Sequence, residues 1–126
     1  MSDLPEEYLM FHMHSTFNLR PAVTLTEFQA AWDQLCETLI DEGLLTSASG
    51  IAERRADTPL DTDADRQLRY FTIMSFRDRP QSEAAWDVFD RRDEPTWTPH
   101  IRVLQMVADP VFACWEDLGP NGQAGT

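Results

Sequence analysis

The sequence contains no lysine; all ten of its basic residues are arginines. That absence excludes Schiff-base catalysis and the phosphate-binding P-loop, both of which need an ε-amine. Cysteine is nearly absent too. Cys36 and Cys114 fit neither a disulfide framework nor a C-x-x-C metal motif, so they read as reduced thiols. No G-x-G-x-x-G, G-x-S-x-G or H-E-x-x-H pattern occurs, which removes the dinucleotide, hydrolase and zincin signatures. No apolar run approaches the roughly 20 residues of a membrane helix. Met1 to Glu7 is acidic where a secretory signal would be basic and then apolar, so a cytoplasmic location is expected.

Positive charge is in short supply as a whole. Ten basic residues stand against 22 acidic ones, giving a net charge of -12 and a pI near 4.4. A surface of that sign repels phosphate backbones and anionic membranes, so neither nucleic acid nor membrane is an expected partner. What the chain does have is apolar matter: 42% hydrophobic residues, including seven Phe and four Trp, in 126 residues. That suits one domain over residues 1–126, with a core from about 8 to 118 and a flexible tail at 119–126.

Leu9 to Leu19 alternates Leu9, Phe11, Met13, Phe17 and Leu19 with Met10, His12, His14, Thr16 and Asn18, the pattern of a strand with one apolar and one mixed face. Thr24-Leu25-Thr26-Glu27 is a capping box, followed by Phe28, Trp32, Leu35 and Leu39 at helical spacing and closed by Gly43. Ser47 to Ala56 reads as a weaker strand, Asp57 to Asp65 as an exposed hairpin loop, and Leu68 to Arg77 as a strand. A second helix starts at Asp78, with Pro80 in its first turn and Ala85, Val88 and Phe89 on its inner face. Beyond it the pattern predicts a linker at Thr96 to Pro99 and a last strand from Val103 to Ala108. Asp109-Pro110 then caps a short terminal helix carrying Phe112, Trp115 and Leu118.

This order describes an α+β domain of βαββαβ type with a four-stranded antiparallel sheet, two helices on one face and a short extra C-terminal helix. Two helices on one face leave the other face bare, and a homodimer that stacks two such faces would cover it. His12, His14, Thr16 and Asn18 would then point into the enclosed space by period-two geometry.

Three stretches resemble the dimeric α/β barrel superfamily, of ferredoxin-like fold, and within it an uncharacterised bacterial family of unknown function. They are His14 to Pro21 around Phe17-Asn18-Leu19, Phe76-Arg77-Asp78, and Asp109 to Leu118 with its Asp-Pro-Val-Phe-Ala core. The Arg54-Arg55 pair and His100 also match that pattern. The resemblance implies a dimeric α/β barrel and supplies no catalytic residues.

Three functional readings stay open. In the first, a cavity binds a small organic molecule, with His14 or His100 as general acid or base. Asn18 donates to a developing oxyanion, and Arg54 or Arg55 grips an anionic group. His12 lines the cavity, and Trp97, lying between Pro95 and Pro99, closes over its mouth. Such a site needs no cofactor and suits isomerisation or, by analogy of fold, the cofactor-independent monooxygenase chemistry of the superfamily. In the second, the dimer is a non-catalytic binding or interaction module. In the third, His12 and His14 share a metal ion with His100. Asp61-x-Asp63-x-Asp65 is not an EF-hand, because Arg66 stands where glycine is needed and Thr72 where a bidentate glutamate is needed.

Overall fold

In the computed structural model, residues 8–125 are described. The expectations for Met1 to Glu7 and for Thr126 lie outside them. Phe11–Leu19 forms β1, two residues shorter at its start than the alternation suggests. Helix α1, Leu25–Asp41, begins at the expected capping box: Thr24 Oγ1 accepts from the Glu27 N–H while the Glu27 carboxylate accepts from the Thr24 N–H. Gly43 ends it at φ +73, where a side chain would be strained, and the Leu44 N–H closes the turn on the Leu39 carbonyl.

The weak second strand is present but interrupted. Ser47–Ala48 (β2) and Ala52–Glu53 (β3) both pair with β4, Tyr70–Phe76. Ser49 bridges the gap, its N–H donating to the Ile73 carbonyl and its hydroxyl accepting from the Ile73 N–H. Helix α2, Arg79–Asp90, starts on the Asp78 side chain and carries Pro80 in its first turn, as expected.

The C-terminal quarter departs from expectation. The predicted linker and last strand form helix α3, Trp97–Met106, and the predicted terminal helix is strand β5, Val107–Glu116. The extra helix therefore lies before the last strand. Pro99 does not break α3, because it sits in the first turn, where the N–H has no intrahelical partner anyway. Thr96, Pro99, Val103 and Val107 are buried along one side of the segment at helical spacing. Asp109 adopts φ +55 and so caps nothing. With Pro110 it forms a bulge, the two residues falling where β1 offers only Phe17 between its pairs with Val111 and Ala108.

The sheet runs β2-β4-β1-β5, with β3 continuing β2 along β4, and every pairing is antiparallel. Strand, helix, two strands, helix and strand thus follow the expected plan. The core joins Phe17, Tyr70 and Met74 of the sheet to Phe28, Trp32, Leu35 and Leu39 of α1, Ala85 of α2 and Val103 of α3. Truncating the fully buried Phe28, Leu35 or Leu39 to alanine removes contacts worth about 2–5 kcal/mol each. Among the described residues no helix is long and apolar enough to cross a membrane.

Candidate functional site

The register divides the sequence-predicted residues between two faces. On the face away from the helices, His12, His14 and Thr16 stand beside Ser75, Ile73 and Phe71 of β4 and beside Trp115, Ala113 and Val111 of β5. A pocket of about 390 Å³ opens there, lined by His14, Thr16, Arg54, Phe71 and Trp115 among others. The His14 ring meets Phe71 edge-on at 5.3 Å and Trp115 at 6.1 Å.

Most other candidates on this side are already occupied. His12 has both ring nitrogens engaged, Nδ1 with Ser75 Oγ at 2.8 Å and Nε2 with Asp117 Oδ1 at 3.1 Å. Asp117 is a carboxylate partner that the strand pattern alone did not reveal. Asn18 spans to the start of β4, donating to the Gln67 carbonyl and accepting from the Arg69 N–H. Arg54 holds Asp61 in a two-pronged pair at 2.6 Å and donates to the carbonyls of Asp63 and Arg66. The guanidinium therefore organises the acidic loop and keeps the Asp61 carboxyl below its ordinary range. Arg55 is exposed and reaches Glu53 at 3.1 Å.

His100 lies on the opposite side of the sheet. The three histidines do not converge, which overturns the shared metal ion, and among the described residues no group of three histidine, cysteine, aspartate or glutamate side chains could hold one.

That opposite side holds the second cavity, about 400 Å³ between the sheet and the helices. Its walls are apolar and aromatic, with Phe17 and Met74 from the sheet, Phe28 and Trp32 from α1, and Phe89 from α2. Three polar side chains interrupt them: Ser15 on β1, Thr72 on β4 and His100 on α3. Two of these carry buried atoms without a hydrogen-bond partner, Thr72 Oγ1 and His100 Nδ1. Thr72 is only 1% exposed. A buried hydroxyl left unpaired costs about 1–3 kcal/mol, so a small shift that turned either atom toward the cavity would let a ligand or a water satisfy it.

Stacking fixes the His100 ring. Phe89 lies parallel to it at 3.8 Å, and Trp97 sits at 5.8 Å. Burial pushes the imidazole below its ordinary value of 6.5, which keeps it neutral at pH 7. Trp97 does not line the cavity; its ring lies under the Arg92 guanidinium at 5.4 Å. His100 was legible as a candidate from sequence, whereas Thr72 was noticed only as a misfit in a calcium loop. Period two along β4 puts Thr72 on the same face as Tyr70, Met74 and Phe76, a signal that the lone hydroxyl faces the core.

No protein-family model and no curated protein matches the sequence. Solved structures do. A variant of SnoaB from Streptomyces nogalater, a cofactor-independent oxygenase, superposes with a TM-score of 0.60 at 8% identity, over 84% of this chain and 90% of that one. The At3g17210 protein of Arabidopsis thaliana gives 0.65 at 5% identity, over 87% and 96%. A dimeric ferredoxin-like protein from an uncultured marine organism gives 0.57 at 10% identity, over 91% and 93%. The chain therefore has a ferredoxin-like α+β fold. At these identities the likeness extends to the fold alone.

Proposed function

We propose that the protein binds a small, uncharged, aromatic molecule bearing a hydroxyl or carbonyl in the cavity between sheet and helices, and that His100 exchanges a proton with it. The observation that carries this reading is the pair of unpartnered buried atoms, Thr72 Oγ1 and His100 Nδ1, in otherwise apolar walls. A volume of about 400 Å³ lies within the usual range for small-molecule sites, about 300–1,000 Å³. Among the described residues no Asp, Glu or Arg lines it, so an ionic ligand would meet no counter-charge from them. A neutral imidazole held by stacking can accept a proton from a bound hydroxyl and return it elsewhere. Such a transfer opens an isomerisation or a cofactor-free oxygenation, the activity carried by SnoaB.

The working unit in this proposal is a homodimer. The open sheet face exposes Trp115 and Val111 next to Phe71 and Ile73, and the marine neighbour with the same fold is described as dimeric. This reading assigns His14 to the dimer-facing pocket, apart from the reaction.

Titration with N-phenyl-1-naphthylamine, a neutral aromatic fluorophore, tests the site. Saturable binding of about one probe per chain is expected, lost in Leu104→Trp, which fills the cavity, and kept in Trp115→Ser, which alters only the open face. The reverse pattern would move the site to the open face and sink this reading.

A further inference from the structure

Among the described residues, the exposed lining of the cavity lies at the gap between α2 and the edge strand β5. Most of its lining is buried or half-buried, whereas Trp86 on α2 is 67% exposed and Phe112 on β5 is 52% exposed. Pro110, also exposed, completes that rim. A second groove of about 650 Å³ adjoins the cavity outside, bounded by Phe11, Cys114 and the exposed side of α2. Cavity and groove share four walls: Met13, Met74, Trp86 and Phe89. The two spaces are thus separated by side chains, and the two that belong to α2 are large aromatics.

Helix α2 is held unevenly. Gln81 pins its first turn: the side-chain oxygen accepts from Thr46 Oγ1 at 2.9 Å and from the Arg77 N–H at 2.7 Å, and Nε2 donates to the Gly43 carbonyl at 3.0 Å. Only Gln81 and Ala85 of this helix are buried, against six residues of α1. Its C-terminal half rests on Val88 and Phe89, both half-buried, and Phe89 makes the stack on His100. A helix anchored at one end and lightly covered at the other opens at the light end at lower free energy.

We infer that the gap between Trp86 and Phe112 is the ligand's entrance, and that the C-terminal half of α2, pivoting on the Gln81 anchor, is its gate. The inference rests on the cavity reading above. Trp86 controls passage between groove and cavity. Phe89 couples passage to the site, since moving it breaks its stack on His100.

Stopped-flow binding of N-phenyl-1-naphthylamine to the wild-type protein, Trp86→Phe and Trp86→Ala tests this. A gate slows entry and exit alike, so Trp86→Ala should raise the association and dissociation rates together by about tenfold, with Trp86→Phe in between. Trp86 is on the surface, so its removal should leave folding intact. An association rate within about threefold of wild type, whatever happens to dissociation, overturns the gate and leaves the cavity reading standing. Absence of binding in the wild-type protein and both variants overturns the cavity reading and the entrance with it.

Discussion

A buried imidazole nitrogen without a hydrogen-bond partner is a liability unless something visits it, and His100 Nδ1 sits in that condition. Its pKa is pushed down by burial alone, with no neighbouring charge contributing. The sign of the consequence is fixed. Above pH 6.5 the ring is neutral in both folded and unfolded chains. Below that, the unfolded chain takes up the proton before the folded one does, so stability falls with pH until the lowered folded value is passed. Urea unfolding between pH 8 and pH 5 should therefore show the wild-type midpoint falling relative to that of His100→Phe, which preserves the stack on Phe89. Parallel profiles for the two proteins would mean that His100 is already solvated. At this scale the sequence was partly readable. Period two put His12, His14 and Thr16 on one face, and that face is where they are. The partners were not readable: Asp117 reaches His12 across 105 residues, and Asn18 reaches Gln67 and Arg69 across about 50, distances that no local spacing encodes.

Elements with their own punctuation were legible, and those shaped by neighbours were not. Helix α1 has a capping box and a glycine stop, and α2 has an Asp cap with proline behind it; both were found where the residues put them. Strand β5 has none of this. Asp109-Pro110 looks like a helix start in isolation, and only pairing with β1 makes Val111 to Glu116 extended, with Asp109 in the left-handed region. The same loss of local authority hid α3, whose periodicity passes through Pro99. Gln81 shows how much one residue can carry at this scale, joining α2 to the strand end at Arg77 and to the turn after α1. Gln81→Ala strips the acceptor from Thr46 and Arg77 and the donor from Gly43, and should cost about 2–4 kcal/mol of unfolding free energy by urea titration. Hydrogen exchange should quicken first in the opening turn of α2. A loss below about 0.5 kcal/mol, the scale of an ordinary surface change, would show the anchor to be replaceable by water.

The whole molecule sets two forces against each other. The open face and the outer edge of β5 expose apolar side chains on an antiparallel sheet, Trp115 at 60% exposure among them, and such a surface in water favours association with a complementary one. Each copy also carries a net charge of -12, so two copies repel before their faces meet. Salt weakens the repulsion, since the screening length falls from about 30 Å at 0.01 M to about 10 Å at 0.1 M, while apolar burial persists. If two copies stack through this face, the dimer should therefore tighten as salt is added, opposite to an interface held by ion pairs. Sedimentation equilibrium at 10, 100 and about 300 mM salt should show the dissociation constant falling at each step. Trp115→Glu adds a charge at the face and should leave the chain monomeric at micromolar concentration in low salt, with the fold intact because the side chain is exposed. A dimer that loosens with salt, or one that tolerates Trp115→Glu unchanged, would put the contact on another surface. His14 and its pocket beside Trp115 and Phe71 would then face solvent.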